Sequence, residues 1–123
     1  MKSKRMEPQP LSSSGKTGAI LVMTNVPDQA SADEIAQHLI AEKLAACVNR
    51  LAPCHSLYHW QGKIESASEI PLLIKTTESC YAAVQAAIIE KHPYELPEII
   101  FVSVDGGSQT YLQWIASIIK TES

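Results

Sequence analysis

Apolar residues form first a short run and then a helical pattern in the first half of the chain. Residues 19–24 are almost uniformly apolar, which predicts a central strand buried on both faces. Ser31 and Glu34 have the spacing of a capping box, so we expect a helix with Ser31 as its N-cap. Behind this start, apolar residues recur at positions that share one helical face: Ile35, Ala36, Leu39, Ile40 and Leu44.

Two long extended segments follow, and a short turn joins them. Residues 46–60 and 64–76 predict the two strands of a hairpin, with Gln61 and Gly62 in the turn. Pro53 predicts a bulge or bend, since proline cannot donate to an interior ladder. Strands of this length would extend beyond the core as an arm. The large side chains on that arm would then need burial against a neighbouring subunit: Tyr58, Trp60 and Ile64.

The last third of the chain predicts two helices with a strand between them. Thr76 or Thr77 is expected to cap the second helix, which Pro93 stops. Residues 98–104 predict a strand, and Ser108 is expected to cap a third helix. The order β-α-β-β-α-β-α predicts an α+β fold. It is the ferredoxin-like split βαβ sandwich, with a long β-hairpin arm and an extra C-terminal helix.

Composition and charge narrow the classes of function. The 123 residues suffice for one domain, expected over residues 19–120 behind a disordered tail at residues 1–18. Residues 1–17 carry a net charge of +3 within a total of −3, so the body is near −6 and argues against a nucleic-acid partner. No apolar run approaches the ~20 residues of a membrane span. Three cysteines without C-x-x-C spacing favour reduced thiols in the cytoplasm.

The segment from His92 to Glu98 concentrates the polar chemistry of the chain. It holds an imidazole, a phenol and two carboxylates, and two prolines stiffen it. Because it leads directly into the predicted strand, we expect a site at the edge of the sheet. Imidazole nitrogen and carboxylate oxygen from His92 and Glu98 would suit Cu(II), Ni(II) or Zn(II). Two structural alternatives stay open: His92 as a favourable residue at a helix C-terminus, and Glu98 as a surface carboxylate.

The aromatic residues allow two interpretations. They are either core and interface anchors or the walls of a cleft between subunits, where small ligands commonly bind. The residues expected around such a ligand cleft are Lys75, Tyr94, Glu95 and Trp114. The sequence has no serine elbow and no glycine-rich phosphate loop, so we expect a protein that is not an enzyme.

Five motifs occur in order between about residue 20 and residue 119: Cys47-Val48-Asn49, Tyr58-x-Trp60-x-Gly62-x-Ile64, Lys75-Thr76, His92-Pro93-Tyr94-Glu95-x-Pro97-Glu98 and Tyr111-Leu112-x-Trp114-Ile115. Together they resemble the CutA divalent-cation-tolerance family. The resemblance implies a homotrimer of ferredoxin-like subunits whose hairpins pack across subunits. It also implies a link to tolerance of copper and other divalent cations, and an architecture similar to that of PII-type signalling trimers.

One position departs from the family pattern. Some members carry a cysteine near the end of the first strand, suggested as a copper ligand, where this chain has Thr24. A hydroxyl is a poor ligand for a soft metal. A copper site with a thiolate at this position is therefore not expected here.

The resemblance and the residues together predict a cytoplasmic homotrimer that takes part in divalent-cation tolerance. It would bind a divalent metal, copper above others, through His92 and Glu98, and would need no metal to fold. The alternative is a PII-like trimeric sensor or adaptor that binds a small molecule at subunit clefts, with metal incidental. A third hypothesis is an interaction scaffold held together by the hairpin arms. Neither nucleic acid nor membrane is expected as a partner.

Overall fold

The computed structural model of the protein describes residues 17–119. These residues form five strands, three α-helices and one 3₁₀ turn: β1 (Ala19–Val26), α1 (Gln29–Ala41), β2 (Cys47–Arg50), β3 (Cys54–Trp60), β4 (Lys63–Thr77), the 3₁₀ turn (Glu78–Cys80), α2 (Tyr81–Lys91), β5 (Ile100–Ser103) and α3 (Gln109–Ile118). The predicted mixed α+β class is confirmed. The predicted disordered tail lies outside the described residues, apart from Thr17 and Gly18.

The sheet is organised around β4. This strand has 15 residues and pairs antiparallel with β1 and β2 over its second half, and with β3 over residues 63–69. β5 pairs antiparallel with the other side of β1, which gives the order β2-β4-β1-β5. The β3–β4 pair therefore continues past the body as a two-stranded ribbon. We call this ribbon, residues 54–69, the arm.

The turn at the tip of the arm is the predicted two-residue turn. Gln61 and Gly62 both have positive φ, at 51° and 77°. Two successive residues in this region match a type I′ hairpin turn, whose twist suits the flanking strands. At the other end of the arm, residues 51–53 interrupt the predicted strand 46–60 and divide it into β2 and β3. The bend expected at Pro53 is thus confirmed, although one continuous strand is not.

Side chains alternate between the two faces of the sheet, and one face holds the hydrophobic core. Residues at every second position of β1 and β4 are buried together with one side of α1 and of α2. α3 contacts the same two strands on the opposite face, where the Lys75 Nζ lies over its Tyr111 ring. The largest core side chains are Ile20, Val22, Val26, Ile35, Leu39, Leu72, Ile74, Val84 and Ile88.

The start of α1 differs from the prediction. The helix begins at Gln29, and its N-cap is Asp28, whose carboxylate accepts a hydrogen bond of 2.8 Å from the Ser31 amide. Ser31 is therefore the third helical residue and not the cap, because Asp28 supplies a charged acceptor three residues earlier. The predicted apolar face is also partly wrong. Ile40 is 44% exposed, and the buried residues of the helix are Ala32, Ile35 and Leu39.

The elements after β4 differ from the prediction in smaller ways. Neither threonine caps α2, because a 3₁₀ turn precedes the helix and the Thr77 side chain makes no cap hydrogen bond. The predicted strand over residues 98–104 is shorter, as Ile100–Ser103. Ser108 caps α3 as predicted, since its hydroxyl accepts from the Tyr111 amide. Among residues 17–119, no helix has the length and apolar character needed to cross a bilayer.

Two buried threonines offer a matched test of core polarity. The Thr76 Oγ1 donates to the Leu44 carbonyl at 2.6 Å, whereas Thr24 Oγ1 has no hydrogen-bond partner among the described residues. We expect Thr76→Val to lower the free energy of unfolding by about 1–3 kcal/mol, because it leaves a buried carbonyl unpaired. Thr24→Val should be neutral or stabilising. Urea unfolding of both variants measures the difference, and equal losses would contradict this account.

Candidate functional site

A pocket of about 730 Å³ opens where β1 ends and extends along the arm as far as Trp60, beside the turn at its tip. β1 contributes Asn25, and the arm contributes residues 56–60 and Glu69. The segment after α2 contributes residues 93–96 and Glu98. Three stretches far apart in sequence thus meet at one place, at the end of the inner strand β1. The volume lies within the range of small-molecule sites, roughly 300–1,000 Å³.

His92 ties the segment after α2 to the end of β1. Its side chain is buried, with 7% exposed, and Nε2 lies 2.6 Å from the Asn25 carbonyl oxygen. The Tyr94 amide donates to Nδ1 at 3.1 Å. Because Nδ1 accepts, the neutral ring carries its proton on Nε2, which donates to Asn25. Both ring nitrogens are therefore engaged, and a metal ion could bind either one only by breaking these hydrogen bonds.

Asn25 also holds Glu98. Its side-chain Nδ2 donates to Glu98 Oε1 at 3.1 Å, while its backbone carbonyl receives the His92 proton. The structure thus brings His92 and Glu98 to the same residue, although they lie six positions apart. Glu98 is exposed, and its Oε2 has no partner among the described residues. One carboxylate oxygen is consequently free to meet a ligand.

Tyr94 and Glu69 form a second polar pair inside the pocket. Burial of Tyr94 and a hydrogen bond from its hydroxyl to the Glu69 carboxylate raise the pKa of Tyr94 to about 12. Burial is the larger cause, and the negative charge of Glu69 adds to it. Glu69 itself is 7% exposed. The phenol therefore stays protonated at physiological pH and serves as a hydrogen-bond donor.

The charged residues of the pocket have one sign. Among the described lining residues, three are glutamates, one is His59, and none is lysine or arginine. No group of three or more His, Cys, Asp or Glu side chains within residues 17–119 is placed to hold a metal ion. Cys47, Cys54 and Cys80 are free thiols, and none of them lines the pocket. The pocket therefore favours cations, but one chain alone supplies no complete metal site in its described part.

The predicted ligand-cleft residues fall in two separate places. Tyr94 and Glu95 line the pocket, whereas Lys75 and Trp114 do not. Lys75 is six positions beyond Glu69 on β4, about 20 Å along an extended strand. Its Nζ lies 5.9 Å from the centroid of the Tyr111 ring, which in turn packs 5.4 Å from the Trp114 ring. Lys75 and Trp114 thus belong to the packing of α3 on the sheet.

The three residues predicted for a subunit interface lie on the arm. Tyr58 is 42% exposed and Ile64 is 69% exposed, while Trp60 is half-buried. By strand alternation, Tyr58 and Trp60 share the face of the arm that carries Glu69, and Ile64 lies on the other face. Leu57, on the same face as Ile64, is 76% exposed. Both faces of the arm thus leave large side chains uncovered in the single chain.

Sequence reasoning missed Asn25 and Glu69 as site residues. Asn25 directly follows the strand predicted over residues 19–24, and nothing in its neighbourhood indicates that its two polar groups would hold distant residues. Glu69 lies in an extended strand next to Pro71, where a carboxylate ordinarily faces solvent. The one available signal is its odd spacing from Tyr58 and Trp60, 11 and 9 residues, which across a two-residue turn places the three on one face of a hairpin.

A family model and a curated relative that match this chain both describe divalent-cation or divalent-ion tolerance proteins. The family model described as CutA1 divalent ion tolerance protein matches residues 20–118. The divalent-cation tolerance protein CutA of Escherichia coli strain K12 is 36% identical over 107 residues, covering 87% of this chain and 96% of that protein.

Solved structures agree in sequence and in fold. CutA from Xylella fastidiosa is 44% identical with a TM-score of 0.81, covering 84% of this chain and 99% of that chain. CutA1 from Oryza sativa is 35% identical with a TM-score of 0.83, covering 89% and 100%. A structure from Archaeoglobus fulgidus, described as a periplasmic divalent cation tolerance protein CutA, is 32% identical with a TM-score of 0.80, covering 83% and 99%.

The Tyr94–Glu69 pair can be tested by titration. We expect the Tyr94 absorbance change near pH 12 to move to lower pH in Glu69→Gln, yet to stay above 10 because burial persists. Tyr94→Phe identifies the signal, and Glu42→Gln, at the far end of α1, is the control. Because the folded state holds this proton more tightly, its contribution to stability is complete below pH 10 and is lost as the pH rises toward 12. An unchanged midpoint in Glu69→Gln would contradict the pairing.

Proposed function

This chain belongs to the CutA1 divalent ion tolerance family, and we propose that it acts in divalent-cation tolerance as a cytoplasmic homotrimer that binds a divalent metal, copper above others. The observation that carries this proposal is Glu98, an exposed carboxylate held by Asn25 at a pocket whose described lining has no lysine or arginine. Carboxylate oxygen combined with imidazole nitrogen suits Cu(II), Ni(II) and Zn(II). The proposed role is binding and not catalysis.

The geometry supports different roles for the two predicted metal residues. Glu98 is the proposed ligand, because Oε2 is free and its other oxygen is already oriented by Asn25. His92 is proposed to hold Asn25 and the segment after α2 in place, since both of its ring nitrogens are hydrogen bonded. Substitution of a residue that orients a metal ligand through hydrogen bonds commonly lowers metal affinity by about 10–100-fold. His92 as a direct ligand stays a prediction, which the same experiment tests.

A trimer would complete both the site and the arm. The chain order and the antiparallel strand order support a ferredoxin-like subunit. The uncovered side chains on both faces of the arm support an interface with another subunit. Such a neighbour would bring further nitrogen or oxygen ligands to the pocket, which the described part of one chain lacks. The free thiols support a reducing compartment such as the cytoplasm.

A second candidate function is supported by the size of the pocket. Its volume and its mixture of aromatic and polar walls suit a small organic molecule. The protein would then be a trimeric sensor or adaptor of PII-like architecture, with metal incidental. The two candidates are separable, because they depend on different residues of the pocket.

The metal proposal predicts distinct effects of two substitutions. Cu(II) titrated by calorimetry into the metal-free protein should bind at one site per chain, and Glu98→Gln should weaken binding at least about tenfold without lowering thermal stability. His92→Ala should weaken binding and also destabilise the fold, by about 1–3 kcal/mol for each backbone group left unpaired. Glu42→Gln should change neither quantity.

Two outcomes would change these assignments. Loss of copper binding in His92→Ala with unchanged stability would make His92 a direct ligand. Copper binding that is the same in Glu98→Gln and in the wild type would place the metal elsewhere and favour the second candidate.

The uncovered side chains of the arm predict that it holds the trimer together. Sedimentation velocity should give a trimer, and Trp60→Ala and Ile64→Asp should each shift it toward smaller species, because they remove apolar contact from opposite faces of the arm. Ser68→Asp places the same new charge as Ile64→Asp on the same face, nearer the base of the arm, and should have the smaller effect. A species that stays trimeric at nanomolar concentration in both variants would exclude the arm as the main interface.

A further inference from the structure

We propose that the inner part of the pocket binds a primary alkylammonium ion, and that the whole pocket takes a linear diamine or polyamine. The inference rests on the second candidate function and names its ligand class. The inner ammonium site does not depend on copper, because Glu69 and the aromatic wall carry it, and Glu98 enters only where the second ammonium group of a longer ligand meets the rim. Either proposal can therefore fail while the other stands.

Glu69 is the buried carboxylate of the pocket. Its side chain is 7% exposed, and the partner it has among the described residues is the neutral Tyr94 hydroxyl. Arg50 and Lys91 pair with Asp33 and Glu34 and not with Glu69, and none of the described residues that line the pocket is a lysine or arginine. A carboxylate removed from water without a cation costs free energy. An ammonium group entering the pocket would supply the missing charge and up to three hydrogen-bond donors.

Aromatic side chains form one wall of the pocket. Tyr58 and Trp60 lie on the face of the arm that carries Glu69, because Cys54 opposes Glu69 and alternate residues share a face. Both rings line the pocket together with Tyr94. Aromatic faces attract cations and cover alkyl chains, which selects an organic ammonium ion over a hydrated metal ion. Tyr58 also contributes to the raised pKa of Tyr94, consistent with the two phenols lying close together.

The positions of the three glutamates in the pocket indicate the length of the ligand. Glu95 and Glu98 are exposed members of the lining, whereas Glu69 is buried. The negative charges are thus divided between the inside and the rim of a pocket of about 730 Å³. A single ammonium would satisfy the inner carboxylate alone. A chain with a second ammonium group a few methylenes away would meet the rim as well, with its methylenes along the aromatic side chains.

The test is calorimetry on the full chain in its natural assembly, at about 0.15 M salt to suppress loose electrostatic binding. Spermidine and n-butylamine are the probes. We expect saturable binding at one site per chain, with spermidine the tighter of the two. Glu69→Gln should weaken both by about 10–100-fold, the effect of losing a charged hydrogen bond. Glu98→Gln should weaken spermidine alone, and Glu42→Gln should change neither.

A second variant keeps the proposal falsifiable if Glu69→Gln does not fold. Tyr58→Leu removes an aromatic face but keeps an apolar side chain on the arm, and should weaken n-butylamine by a few-fold to about tenfold when compared at a concentration where sedimentation gives both proteins the same assembly. Absence of amine binding would overturn the proposal. So would spermidine binding that is unchanged in Glu69→Gln and Tyr58→Leu and disappears at high salt.

Discussion

The register of β4 is the constraint on which the core, the arm and the pocket all depend. The strand pairs with β1, β2 and β3, so its alternation is fixed along its whole length. Leu72, Ile74 and Thr76 then face the helices, while Glu69 is placed at the pocket. A slip of one residue would move the apolar set out of the core and Glu69 out of the pocket together. The burial that stabilises the fold therefore also positions the inner carboxylate of the site.

The segment after α2 depends on hydrogen bonds instead of strand pairing. Residues 92–99 belong to no helix or strand, so their position relative to β1 has to come from side chains. The buried His92 ring supplies it through Asn25 and the Tyr94 amide, and Asn25 passes the constraint on to Glu98. Pro93 and Pro97 reduce the number of backbone conformations that these few bonds must exclude. A short irregular segment can thus present the Glu98 carboxylate in a fixed place.

The sequence predicted those features that local patterns encode. The turn at Gln61 and Gly62 and the cap at Ser108 depend on neighbouring residues, and both were predicted correctly. The cap of α1 was misplaced because Ser31 and Glu34 satisfy the capping-box pattern, while Asp28 competes for the same amide. Site composition was harder, since it depends on where separate elements meet.

Lys75 shows the limit of pattern reasoning most clearly. It occurs in a motif that resembles the family, yet its position on β4 places it under α3 and far from Tyr94. Membership of a shared motif does not determine on which side of the molecule a residue lies. Distance along the strand gives that answer here, because an extended backbone separates Lys75 from Glu69 by several side-chain lengths.

The division of charge within the pocket explains how one cleft can suit two classes of cation. A divalent ion gives up its hydration reluctantly, so it is best met by exposed carboxylates such as Glu98, where water can complete the coordination. The buried Glu69 offers no such access, and its surroundings are aromatic. An ammonium group loses less hydration free energy than a divalent ion when it leaves water. Its contacts with a carboxylate and with ring faces compensate for that loss. Exposure, more than charge, therefore separates the rim proposed for a metal from the interior proposed for an amine.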